Sequence, residues 1–197
     1  MLQGEFEMSL YLGLVHHPIN NKNGDIVTTS VTNLDIHDIS RSCRTYGVKK
    51  YFIVTPLKIQ QDLVNRILGH WEADKSAAYN PDRVDALRCA SVLNSVENAI
   101  EEITSLEGVK PVLAVTGANF THSDGDMKEL HKHLKIDKSP LFLLFGTGWG
   151  LNATLLDQAD FKLGPLNGKA EDGYNHLSVR SAVAIYLDRF ALASGPD

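Results

Sequence analysis

Apolar positions along this chain come in two spacings that alternate from one end to the other. Runs dominated by apolar residues at Met8–Val15, Lys50–Thr55, Pro111–Thr116 and Leu141–Phe145 predict strands buried on both faces. Between them the apolar residues recur every three or four positions. Ile36, Ile39, Cys43 and Tyr46 predict a helix over Leu34–Tyr46, and Leu63, Val64, Ile67 and Leu68 predict one over Leu57–His70. A third helix is expected over Asp126–Leu134, and Asn20–Asp25 is a turn leading into the β-branched run Ile26–Val31. Strand and helix alternation of this kind predicts an α/β fold with a mostly parallel sheet flanked by helices. The segment Trp71–Gly108 is more polar. There Asn94 and Glu97 have capping-box spacing ahead of Val96, Ala99, Ile100 and Ile103. It reads as an inserted strand-helix segment (71–108) within one domain spanning 1–197.

The C-terminal third breaks this rhythm. The strand Leu141–Phe145 ends in Gly146-Thr147-Gly148-Trp149-Gly150. Breaks follow at Leu163-Gly164-Pro165-Leu166 and Tyr174-Asn175-His176-Leu177-Ser178. Glycines just past a buried strand mark a sharp turn or a close approach of the backbone to something else. Three such breaks within about thirty residues point to three loops gathered around one ligand. The chain then enters a helix with Val179, Ala182, Val183, Tyr186, Leu187 and Phe190 on one wide apolar face, extended by Ala184 and Ile185. That face predicts burial, either within one subunit or against a second copy. The glycine series is not a dinucleotide fingerprint: it follows a late strand, and its third glycine comes one residue early. A Walker-type Gly-Lys-Ser/Thr is also missing.

Composition narrows the class. With 197 residues, 43% of them hydrophobic, the chain has enough apolar material for a sizeable core. Its net charge of −5 argues against binding nucleic acid through the whole surface, and no DNA partner is expected. Local basic stretches remain at Arg41, Arg44, Lys49 and Lys50, and at Lys128, His131, Lys132, His133 and Lys135. Cys43 and Cys89 are the two cysteines and read as apolar thiols in a reducing compartment. Ligand pairs with zinc spacing are missing, and His131 and His133, two apart on a helix, face different ways, so no metal is expected. The apolar runs are too short for a membrane span and the N-terminus lacks signal-peptide features, so the expected location is cytoplasmic, without membrane contact.

Three stretches then carry a resemblance: TNLDIHDISRSCRTYGV (Thr32–Val48), FGTGWGL (Phe145–Leu151) and YNHLSVRSAVAIYLDR (Tyr174–Arg189). Together they resemble the SPOUT (α/β-knot) methyltransferases, S-adenosylmethionine (SAM)-dependent enzymes that act mostly on RNA, and in particular a small bacterial SPOUT-type family labelled RNA methyltransferase. The resemblance implies a SPOUT-like fold with a C-terminal trefoil knot, SAM as cofactor and a homodimer. It implies methyl transfer to a ribose 2′-OH or a base nitrogen of structured RNA, tRNA or rRNA. Its alternative is a knotted protein that binds SAM or a nucleotide without catalysis, as a sensor or assembly partner.

By resemblance, the cofactor loops are Phe145, Gly146, Thr147, Gly148 and Gly150; Leu163, Gly164, Pro165 and Leu166; and Tyr174, Asn175, His176, Leu177 and Ser178. Thr116 and Gly117 would line the same pocket. Arg41, Gly47 and Val48 match the RxxxxxGV pattern of SPOUT ribose 2′-O-methyltransferases, which implies an active-site arginine. A guanidinium stays protonated, so Arg41 suits an RNA phosphate or developing negative charge better than proton abstraction. His37 and Asp38, one helical turn away, are the expected proton acceptors, with His176 a further candidate. Three departures from the pattern leave the methylated atom open. Asp35 stands where the ribose enzymes carry Asn, Thr147-Gly148-Trp149 replaces a stretch that includes Glu, and His176-Leu177-Ser178 replaces Asn-Val-Ser.

Overall fold

A computed structural model describes residues 8–72 and 78–194, so both ends of the expected 1–197 domain and part of the 71–108 segment lie outside the described residues. The strands are β1 (Leu10–Val15), β2 (Ile19–Asn20), β3 (Ile26–Val27), β4 (Lys50–Val54), β5 (Ala90–Leu93), β6 (Val112–Val115), β7 (Leu141–Gly146) and β8 (Phe161–Lys162). The helices are α1 (Asn33–Thr45), α2 (Lys58–Glu72), α3 (Pro81–Leu87), α4 (Val96–Glu107), α5 (Met127–Asp137), α6 (Ala153–Asp157) and α7 (Val179–Ser194).

Six strands form one parallel sheet in the order β5-β4-β1-β7-β6-β8. β1 and β7 lie at its centre and are buried on both faces, which is why their sequences are continuous apolar runs. Side chains alternate between two cores. Leu10, Leu12, Leu14, Leu141, Leu143 and Phe145 face one side, against Ile36, Ile39 and Cys43 of α1, Leu130 of α5 and Val183 and Leu187 of α7. Tyr11, Val15, Phe142 and Leu144 face the other, against Val96, Ala99 and Ile103 of α4 and Leu155 of α6. Gly13 sits on this second face because a Cβ there would lie 2.5 Å from the Leu144 side chain and 3.0 Å from the Phe142 ring.

The polar segment after Trp71 supplies β5, which pairs with β4 and extends the same sheet by an edge strand. Its helix α4 is capped by Ser95, whose hydroxyl accepts from Asn98 N–H, and not by the expected Asn94–Glu97 box. Asn94 instead accepts a hydrogen bond from the Gln61 side chain. The box signature proves genuine at α5, where Asp126 accepts from the backbone N–H groups of Lys128 and Glu129 and Glu129 reaches back to Asp126 N–H. The β-branched run at Ile26–Val31 contributes only two strand residues. With Ile19–Asn20 they make a small antiparallel hairpin beside the sheet. The short elements α6 and β8 carry no periodic signal in the sequence; β8 pairs with β6 at the sheet edge.

The chain builds β1, β4 and β5 outward in one direction. It then crosses through α4 to build β6 and β7 on the other side of β1. The carboxyl ends of β6 and β7 therefore open into a crevice where the winding reverses, the usual ligand position in open α/β sheets.

Candidate active site

That crevice is a cavity of about 660 Å³, within the range of small-molecule sites. Its floor is Phe145 and Gly146 at the end of β7 and Thr116 and Gly117 after β6. Thr116 is anchored by its hydroxyl, which donates to Leu144 O at 3.0 Å. The first glycine loop supplies the largest share of the lining, Phe145 through Leu151 without a gap. A Cβ on Gly146 would lie 2.7 Å from the backbone nitrogen of Leu151, so the turn closes only around a glycine. Gly148 has φ +57° and lies against the hairpin: a Cβ would meet Ile19 at 3.2 Å and Thr29 at 3.3 Å.

The second and third loops join the first through Asn175. Its amide nitrogen donates to Leu166 O and its amide oxygen accepts from Gly168 N–H, each at 2.8 Å. Leu166, Asn175, His176 and Leu177 line the cavity. Leu163, Gly164 and Pro165 do not, and neither do Tyr174 or Ser178. Leu163 and Gly164 lie behind the wall. Leu163 N–H donates to Val115 O and Gly164 N–H to Gly125 O, both at 2.9 Å, while Gly164 O accepts from the Tyr186 hydroxyl at 2.8 Å. Ser178 caps α7, accepting from Ser181 N–H at 3.2 Å. Tyr174 is exposed and stands edge-on to His176, ring centroids 5.3 Å apart.

The expected catalytic trio is not part of this lining in a single chain. Arg41 is exposed on the outer face of α1 and forms no ion pair among the described residues. Its basic neighbours are all neutralised: Arg44 by Asp85, Lys49 by Glu107 and Lys50 by Glu102. His37 is turned against Trp71, ring centroids 5.6 Å apart, with Nδ1 buried and without a partner among the described residues. Burial, helped by the Arg83 charge, lowers its pKa from the ordinary histidine value. Asp38 is exposed and lies 3.5 Å from Arg180 Nε.

The charged pair inside the cavity is one that sequence reasoning missed. Arg180, in the first turn of α7, and Asp35, in the first turn of α1, both line it. Arg180 Nη1 donates to Asp35 Oδ1 at 2.7 Å, and Thr32 Oγ1 donates to Asp35 Oδ2 at 2.6 Å. A signal was available. Asp35 precedes Ile36 and is four residues before Ile39, so it borders the buried stripe of α1, and a buried carboxylate requires a cation or several donors. Asn20 of the hairpin and Thr29 and Ser30 just past it were also missed; they complete the opposite wall. Thr29 is fixed from beneath by buried His16, whose Nδ1 lies 3.1 Å from Thr29 Oγ1. Burial lowers the His16 pKa to about 4, against a smaller upward pull from Asp35. Thr147 ties this wall to β1, its hydroxyl donating to Val15 O at 3.0 Å.

Comparison with known proteins gives this geometry a context. The model of a SAM-dependent RNA methyltransferase family matches residues 9–192. A tRNA (guanine-N(1)-)-methyltransferase of Oleidesulfovibrio alaskensis is 41% identical over 92% of this chain, which covers 41% of that protein. The chain thus spans less than half the length of this relative. An uncharacterized protein of Aquifex aeolicus is 33% identical, with 92% of this chain and 87% of that one covered. Among solved structures, a probable methyltransferase from Bordetella pertussis superposes with a TM-score of 0.62 at 14% identity, covering 95% of both chains. The SpoU methyltransferase AviRb from Streptomyces viridochromogenes, in complex with the cofactor AdoMet, superposes with a TM-score of 0.55 at 15% identity. There 94% of this chain and 57% of that one are covered. These two likenesses concern the fold.

Proposed function

The chain belongs to the SAM-dependent RNA methyltransferase family, and we propose that it methylates a ribose 2′-OH or a base nitrogen of a structured RNA, a tRNA or an rRNA. The observation that carries this reading is the convergence of three separate loops on one cavity at the carboxyl ends of β6 and β7.

The lining suits the cofactor. Glycine backbone at Gly146, Gly148 and Gly150, with apolar walls at Phe145, Leu166 and Tyr186, fits an adenine whose edge is read by main-chain groups. Asp35 offers a carboxylate to positive charge, and Arg180 offers a cation to a carboxylate. SAM, when bound, supplies a methyl group activated on a sulfonium. The protein's main task in such an in-line displacement is to hold the reacting groups in position, an effect worth roughly 7–11 kcal/mol in well-oriented systems.

Arg41 has a place in this scheme across a two-fold axis. In a homodimer the exposed face of α1 meets the second subunit's cavity, where the guanidinium holds an RNA phosphate or stabilises charge developing on the acceptor. Of the two proton acceptors on the same turn, Asp38 is the one that faces solvent while His37 packs on Trp71. The Arg41–Gly47–Val48 pattern favours a ribose oxygen, and Asp35 in place of Asn keeps a base nitrogen in play. The three loops in this scheme belong to a knotted C-terminus, and the enzyme works in the cytoplasm.

The test has two steps. Calorimetric titration with SAM and S-adenosylhomocysteine is expected to give micromolar binding. Incubation with methyl-labelled SAM and unmodified tRNA or rRNA is expected to label the RNA. Alkaline hydrolysis then separates the two acceptors, because a 2′-O-methyl group protects the adjacent phosphodiester and a base methyl does not. Absence of SAM binding with and without RNA would sink the assignment.

A further inference from the structure

The chain has two tryptophans and uses them in opposite ways. Trp71 is packed between the edges of His37 and His70, with the Arg83 guanidinium 4.9 Å from its ring centroid. Trp149 is 62% exposed and stands at the cavity. It is not exposed for want of order in its loop. Trp149 N–H donates to Asn20 O at 3.3 Å, Gly150 N–H to Thr147 O at 3.0 Å, and Asn20 N–H to Gly150 O at 3.0 Å. Glycines in the left-handed region flank it, Gly148 at φ +57° and Gly150 at φ +101°. A large indole left in water forgoes hydrophobic stabilisation, yet the turn that carries it is already ordered. A preordered aromatic surface loses little entropy when it binds something flat.

The neighbours say what that flat partner is. The Asn119 amide lines the same cavity, beside Asn20 and Asn175, whose amides hold the loops together, and Tyr174 and His176 form a second aromatic edge on the third loop. Aromatic faces beside side-chain amides are the chemistry that recognises unstacked nucleobases. An atom to be methylated inside an RNA helix must also leave its stack before it reaches a cavity. Resting on the RNA methyltransferase reading above, we propose that Trp149 is a stacking platform that holds an unpaired base of the RNA at the mouth of the cavity.

The probes are an unmodified tRNA transcript and a blunt RNA duplex of the same composition. Trp149→Ala is expected to weaken tRNA binding roughly five- to hundredfold, the range of base–aromatic stacking, with Trp149→Phe largely restoring it. SAM affinity is expected to fall by less than tRNA affinity in both variants. In a Trp71→Phe background, the remaining indole emission is expected to be quenched saturably by the tRNA and little by the duplex. If that background fails to fold, the affinity series on the unaltered chain decides alone. Unchanged tRNA affinity in Trp149→Ala overturns the proposal while leaving the enzyme reading intact. So does an equal loss of SAM affinity, which makes the indole part of the cofactor site, or conversion of a dimer to a monomer, which makes it an interface residue. Failure of the wild type to bind either RNA overturns the proposal for tRNA and leaves the parent reading to stand on rRNA alone.

Discussion

Arg180 and Asp35 meet at 2.7 Å across the seam between α7 and α1, joining the two helix starts that close the cavity on one side. The Asp35 carboxylate is almost wholly enclosed, and the same guanidinium reaches Asp38 at 3.5 Å, one turn further along α1. One cation thus sets the position of the helix that carries the proposed catalytic arginine. Asp35→Ala leaves that guanidinium without its closest partner. Because Arg180 is partly solvated, the expected loss of stability is about 1–3 kcal/mol, below the cost of breaking a fully buried pair. Denaturant melts of Asp35→Ala, Arg180→Ala and the double variant measure the coupling. A double variant no worse than either single one is the expected result, and strict additivity would mean the two side chains act separately.

Gly146→Ala sets a Cβ 2.7 Å from backbone, where no side chain can swing aside. The first loop has to shift. SAM affinity is expected to fall at least about tenfold, because positioning errors of an ångström are costly in preorganised sites. Titration calorimetry checks it, and unchanged affinity would remove the first loop from the cofactor site.

Asn175→Ala cuts the two hydrogen bonds that tie the third loop to the second. Each bond is worth about 0.5–1.5 kcal/mol, so the effect is local. Hydrogen exchange is expected to rise in residues 163–178 with little change in β1 or β7, and SAM binding should weaken.

Arg41→Ala is expected to retain SAM binding and thermal stability, since the side chain is exposed and forms no ion pair among the described residues. Methyl transfer to RNA should fall about 10²–10³-fold, the usual cost of removing a group that stabilises developing charge. Full activity in this variant would exclude the arginine from the reaction.

His16 makes stability depend on pH. Its pKa is about 4 in the folded protein and near 6.5 once unfolded, so the unfolded chain takes up the proton first as pH falls. The full contribution is present above pH 6.5 and is lost progressively down to pH 4, amounting to ~3 kcal/mol. His37 and His131, also lowered by burial, push in the same direction. The check is therefore a comparison: melting curves of His16→Gln between pH 7 and pH 4.5 should show a shallower loss than the wild type.

Much of the architecture was legible because burial on both faces of a parallel strand forces a continuous apolar run. β1, β4, β6 and β7 read out within two residues at either end for that reason. The C-terminal helix was legible on the same physics, and Val183, Tyr186, Leu187 and Phe190 are indeed buried within one chain. The elements that escaped, β2, β8, α3 and α6, span two to seven residues each. At that length a pattern has no period to show, and pairing with distant strands decides the conformation.

The candidate site divides along the same line. The sequence by itself determined that three glycine- or turn-containing breaks follow the last long strand, since backbone that must bend sharply leaves a local mark. It also carried the family. Only the tertiary structure decided which residues of those breaks face the cavity: Leu166 and Asn175 do, while Gly164 is spent on Gly125 and Tyr186. It also decided that Asp35 and Arg180, 145 positions apart, form one charged wall, and that Asn20 of the hairpin and Thr29 just past it form the other. A glycine's need for space is a property of its own backbone. The partner of a buried charge is set by where the sheet's crossovers return the chain, and no local pattern records that.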